Sequence, residues 1–136
     1  MTPKQYLQQY RKAAAILKHA RDELELARHD AMGIRAMVLD DMPKSRNMER
    51  DLSDAYVKIE DRLRRLNIAE DACRAIMTEV VESIRTAPNE LEYEVLYARY
   101  IDGRRWDDIA ERLHISRQWA TTIHGRALKH IRIGGE

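Results

Sequence analysis

Residues 106–131 read WDDIAERLHISRQWATTIHGRALKHI, and the spacing of their apolar side chains resolves into two short helices joined by one sharp bend. Ile109, Ala110, Leu113, Ile115, Ala120 and Ile123 fall on the inward positions of a helix-turn-helix, with the small Ala110 where the two helices cross. His114 occupies the turn, a position usually held by glycine; histidine is among the residues that accept the positive φ needed there. Ser116 then stands as the N-cap of the second helix, its hydroxyl free to accept an early backbone amide.

The same count leaves Arg117, Gln118, Thr121 and Thr122 facing outward, with Trp119 close to the edge. Arginine can pair with guanine, glutamine with adenine, and threonine can donate to a base edge or touch a thymine methyl. Arg126, Lys129 and Arg132 extend a basic side suited to phosphate. The whole chain carries 24 Lys and Arg against 23 Asp and Glu, a formal net charge of +1. That balance conceals a basic end, because no acid occurs from Arg112 to Gly135. Double-stranded DNA is therefore the expected partner, and the expected contacts are Ser116, Arg117, Gln118, Trp119, Thr121, Thr122, Arg126, Lys129 and Arg132. Trp119 fits two placements, against the DNA backbone or buried between helices. Gly125 lies inside the second helix, where glycine costs about 1 kcal/mol relative to alanine; close approach to the preceding helix or to a phosphate would account for it. A helical corner without any ligand is the competing reading of the whole motif.

Working toward the N-terminus, Asn89 and Glu92 have the spacing of a capping box, Leu91, Val95, Leu96 and Tyr100 form an apolar stripe, and Asp102-Gly103 supplies a stop. Before Pro88 two long heptad series run. The first is Tyr10, Ala13, Leu17, Ala20, Leu24, Ala27, Ala31, Ile34 and Val38; the second is Leu52, Tyr56, Ile59, Leu63, Leu66, Glu70, Cys73, Met77, Val80 and Ile84. They predict helices near residues 4–41 and 48–86, joined by a short connection over Pro43–Asn47 and hence antiparallel. Tyr6 and Tyr10 fit either a binding surface or, at their helical spacing, a core position. Glu70 fits either a seam edge in water or a register-setting polar group. With 44% hydrophobic residues and no Phe, the composition also favours helix. The expected architecture is all-α: a long antiparallel, coiled-coil-like hairpin over residues 1–87, followed by a small helix-turn-helix domain over 88–136. The hairpin is too thin to bury both seams, so it is expected to make a homo-oligomer.

The segment 106–132 resembles the C-terminal helix-turn-helix of sigma-70-type factors, region 4. Asp107-Asp108-Ile109-Ala110, Ile115-Ser116-Arg117, and Ala127-Leu128 with Ile131 carry the likeness, and Leu91–Gly103 resembles the helix that leads into that motif. The resemblance implies DNA binding, with Arg117 and Gln118 at contact positions, and makes RNA polymerase a further candidate partner. Thr121, Thr122 and Trp119 depart from the family's pattern, so no promoter preference carries over. With a long hairpin in front, the whole chain is similar, more loosely, to small phage-associated ArpU-like proteins that act in transcription of phage genes.

Other chemistry lacks its motifs. Neither GxxxxGK[ST] nor GxGxxG occurs, His114, His124 and His130 lack a shared ligand spacing, and adjacent Asp pairs point to different helix sides. No enzyme activity, cofactor or metal is expected. The single cysteine, Cys73, fits a buried thiol. No long apolar run or signal-like start is present, so cytoplasmic residence and no membrane are expected. The leading reading is a sequence-specific DNA-binding transcriptional regulator of phage or prophage. The alternatives are a sigma-like module docking on RNA polymerase or another regulator, and a DNA-packaging recognition subunit.

Overall fold

The computed structural model describes residues 1–40 and 47–134. All regular structure among these is helical: α1 (Pro3–Leu39), α2 (Met48–Arg85), α3 (Glu90–Tyr100), α4 (Trp106–Leu113) and α5 (Arg117–His130). Of the expected connection Pro43–Asn47, only Asn47 lies within the described residues. Helix α1 starts at a reciprocal cap, in which the Gln5 amide donates to Thr2 Oγ1 at 3.1 Å and the Thr2 amide to Gln5 Oε1 at 2.9 Å. Pro3 follows as the first helical residue, where its missing N–H costs nothing. None of the helices among the described residues is long and apolar enough to cross a membrane.

The chain packs as two compact units, one of Met1–Ala14 with Ala72–Glu136 and the other of Ala15–Asp71. These boundaries cut through α1 and α2. The reason is core volume. Three short helices leave part of their apolar surface uncovered, and the cluster beneath them joins Leu96, Tyr100, Ile101, Ala127 and Ile131 to Leu7 of α1 and Val80 and Ile84 of α2. Tyr6 and Tyr10 pack against this cluster, as their helical spacing predicts. Leu7, fully buried, lies three residues before Tyr10, where the seam as read from sequence begins.

In the other unit α1 buries Ala20, Leu24, Ala27 and Ala31, the expected alanine-rich seam. Its partner strip on α2 differs from the expected one. Leu52, Ala55, Ile59, Arg62 and Leu66 are the more sheltered positions, whereas Tyr56 and Leu63 remain 44% and 40% exposed. Small alanines permit close helix approach, and Arg62 keeps its stem covered while its guanidinium meets Asp61 at 2.6 Å and Glu23 of α1 at 3.8 Å. The Glu23–Arg62 pair, and a groove lined by Ala27, Ile34, Asp51 and Ala55, fit antiparallel packing. Cys73 is buried and unpaired with any disulfide partner.

Candidate nucleic-acid interface

Helices α3, α4 and α5 close on a second buried cluster, Val95, Ala98, Ile109, Ala120 and Ile123, against which Leu91, Trp106, Leu113 and Ile115 pack. Ile109, Leu113, Ile115, Ala120 and Ile123, all expected to face inward, thus belong to one interior, and Ala110 at the crossing is 7% exposed. The bend is made by His114 at φ 57 and ψ 43, the one non-glycine residue at positive φ among those described. Its left-handed backbone lets the Ile115 amide reach back to the Ala110 carbonyl at 3.0 Å, which closes the end of α4. Ser116 caps α5, its Oγ accepting the Trp119 amide at 3.0 Å.

With Ala120, Ile123 and Ala127 buried, helical geometry turns Gln118, Thr121, Thr122, Gly125 and Lys129 to solvent. Arg117 stands on one edge and meets Asp107 Oδ1 at 3.6 Å, both side chains being largely exposed. The hydroxyls of Thr121 and Thr122 both donate to the Gln118 carbonyl at 2.9 Å. Their protons are engaged, so the methyl groups and remaining lone pairs are what they offer outward. Trp119 is 40% exposed on the opposite edge, and the Arg126 guanidinium covers its ring at 5.1 Å from the centroid. The indole is thus not buried between helices. A Cβ added at Gly125 would meet no atom within 4 Å, so packing on the preceding helix does not require that glycine.

Arg132 stands apart from the other eight residues. Helix α5 ends at His130, Ile131 turns to extended backbone, and the Arg132 amide donates to Thr86 Oγ1 at 2.8 Å. Its side chain lines a cleft with Tyr6, Glu79, Glu82 and Ser83 instead of the outward face of α5.

Two polar contacts that fix α5 have no signature in sequence spacing. Tyr100 Oη of α3 and His124 Nε2 share a hydrogen bond at 2.6 Å, and the Trp106 ring meets the imidazole edge-on at 4.9 Å between centroids. Burial, with smaller contributions from Lys4 and Arg99, pushes His124 down to about 4; burial raises Tyr100 to about 12 although Arg99 opposes it. Both groups are therefore neutral near pH 7. The second contact involves Glu92. Asn89 Oδ1 accepts the Glu92 amide at 2.9 Å as the capping box predicts, but the Glu92 carboxylate does not return to Asn89. It is buried and lies 3.0 Å from Nδ1 of His130, tying the start of α3 to the end of α5.

A capped, outward-facing second helix behind a left-handed turn is the geometry by which such modules enter a groove. The family model of sigma-70, region 4, matches residues 89–132. The matched segment is thus a helix-turn-helix similar to region 4, and α3 is part of the match. No curated protein and no solved structure matches the chain. The region 4 module also positions cations beyond those expected: Arg99 covers the Trp106 ring at 4.7 Å, and its Nη1 donates to the Arg104 carbonyl at 3.0 Å. Among the described residues no group of three or more His, Cys, Asp or Glu is arranged to hold a metal ion.

Proposed function

We propose that this chain is a non-enzymatic, sequence-specific DNA-binding regulator of transcription, of the phage-associated kind that its hairpin and region 4 module together resemble. The observation that carries the reading is the outward face of α5. Arg117, Gln118, Thr121, Thr122 and Lys129 are exposed opposite Ala120, Ile123 and Ala127, on a helix capped at Ser116. In this reading Arg117 and Gln118 read base edges from the first turn, the threonine methyls meet thymine or sugar, and Trp119 with Arg126 lies along the backbone. Lys129 serves phosphate. Arg132, lying beside Glu79 and Glu82, contributes least. The hairpin pairs two copies, so that two modules engage one duplex.

Selection of bound sequences from random DNA, followed by a salt series on the selected duplex, tests this. A defined motif and an affinity falling steeply with salt are expected. Enrichment of no motif, with no duplex bound at low salt, would refute it. A second reading, docking on RNA polymerase with little DNA affinity of its own, draws support from the apolar side chains exposed on the hairpin, Leu26 at 62% and Ile68 at 67%. It expects capture of polymerase by the intact chain without any selected sequence.

A further inference from the structure

The basic surface around the region 4 module does not stop at its first residue. Lys4 and Arg11 stand three residues before and four after Leu7, so all three share one stripe of α1. Leu7 is fully buried among Tyr100, Ile101, Ala127 and Ile131, which docks this stripe on the module. The Arg11 guanidinium lies against Gly103, where an added Cβ would have to displace it, and Gly103, at φ 68, sits in the turn between α3 and α4. Lys4 reaches close enough to His124 to oppose its protonation. Exposed Arg104 and Arg105 follow Gly103 directly, and Arg99 holds that turn through the Arg104 carbonyl.

Cations from two separated parts of the chain thus gather at the turn between α3 and α4, where Arg11, Arg104 and Arg105 lie, and beside His124 of α5, which Lys4 and Arg99 approach. Of the nearby carboxylates, exposed Asp108 lies in the first turn of α4, and two others are engaged elsewhere. Asp102 faces Arg112 at 3.8 Å and Asp107 faces Arg117 at 3.6 Å. Among the described residues Lys4, Arg11, Arg104 and Arg105 have no carboxylate within ion-pair distance. The first turn of α1 contains no acid either, so its backbone amides add to the positive potential instead of neutralising it. Holding like charges together, unpaired, is unfavourable in the isolated fold. A polyanion bound there removes that repulsion.

A helix seated in a major groove about 12 Å wide has a phosphate ridge along each side. We propose that Lys4 and Arg11, together with Arg104 and Arg105, form a sequence-independent contact to the DNA phosphate backbone, flanking the base pairs read by α5. The contact brings the start of α1, far outside the matched residues, into the DNA interface. This rests on the DNA-binding reading above.

The test compares the intact wild-type chain with Lys4→Gln/Arg11→Gln, Lys4→Arg/Arg11→Lys and Arg117→Ala. Each is titrated across a salt series against a labelled mixed-sequence duplex and against a duplex selected by the wild type. The double glutamine variant is expected to bind both duplexes more weakly, by the same factor, with the slope of log affinity against log salt reduced by roughly 2, about 0.9 for each phosphate that is no longer neutralised. The charge-keeping variant should retain the wild-type slope, which a packing role for Arg11 would not produce. If the double glutamine variant fails to fold by circular dichroism, Lys4→Gln alone decides, with a slope reduced by roughly 1. A folded glutamine variant with the wild-type slope, while Arg117→Ala loses base preference, would overturn the contact and leave the DNA-binding reading standing. A wild type that binds neither duplex would overturn both.

Discussion

Arg117 meets Asp107 at 3.6 Å with both side chains largely exposed, and a surface pair of this kind contributes little. DNA can therefore draw the guanidinium away at small cost. Arg117→Ala and Gln118→Ala should each change base preference and cost roughly 1–3 kcal/mol at a selected site, whereas Lys129→Ala should weaken selected and mixed duplexes alike. Equal losses on both duplexes for all three, by titration, would remove Arg117 and Gln118 from base reading. His124 allows a second test. The folded ring resists protonation down to about 4, while the unfolded ring accepts a proton below 6.5. Acid thus favours unfolding, and the contribution is complete above pH 6.5 and lost progressively as pH falls toward 4. His124→Gln keeps an acceptor for the Tyr100 hydroxyl and cannot titrate, so its thermal midpoint should decline less across that window. At this scale the turn was legible in the sequence. His114 and Ser116 act through their own backbone and side chain, locally. Glu92 was half legible, because a partner 38 residues away leaves no mark on local spacing. Trp119 had two open placements, and only the packing around α5 chooses between them.

Helix α2 shows at the scale of elements how a partner selects a seam. Apolar identity alone favours Tyr56 and Leu63 as seam residues, yet Ala55 and Arg62 take the sheltered positions. Both candidate lines obey the same heptad rhythm. What decides between them is the partner, since α1 presents alanines and Glu23, and a helix with small side chains at the crossing approaches closely only if its neighbour is small as well. Ala27→Leu, at a position 3% exposed, should overpack this seam and destabilise by about 1–3 kcal/mol. Leu63→Asp, on the flank, should change stability by no more than about 0.5–1 kcal/mol. Chemical denaturation of the two variants checks the assignment; the reverse order would restore Leu63 to the seam. Helix existence, type and approximate ends were legible because caps and breakers such as Asn89, Pro88 and Ser116 act within a turn of themselves.

For the whole molecule, division of labour and division of packing differ. Residues 88–136 contain the entire matched module, yet without Leu7, Val80 and Ile84 they would expose Leu96, Tyr100, Ile101, Ala127 and Ile131. Expressed alone, this fragment should melt broadly and well below the intact chain in calorimetry; a sharp transition at the intact chain's temperature would mean the cluster is dispensable. That dependence was hidden in the sequence because the missing pieces lie at the opposite end of the chain. Assembly is best tested in the full chain, by changing side chains that the fold leaves outside. Leu26 and Ile68, 62% and 67% exposed, lie in the unit Ala15–Asp71, as do exposed Met32, Leu39 and Val57. A single two-helix layer has one buried seam, and apolar side chains off that seam are covered only by another molecule. With a second copy as that molecule, the wild type should sediment as an oligomer and Leu26→Glu/Ile68→Glu as a folded monomer. Two linked modules bind one duplex with an avidity that neither has alone. The monomeric variant should therefore keep its base preference while binding a selected duplex at least about tenfold more weakly, modest against the roughly 10²–10⁴-fold gains that linkage can give. A monomeric wild type, or a monomeric variant with undiminished DNA affinity, would assign those side chains to a protein partner and favour docking on polymerase as the role of the hairpin.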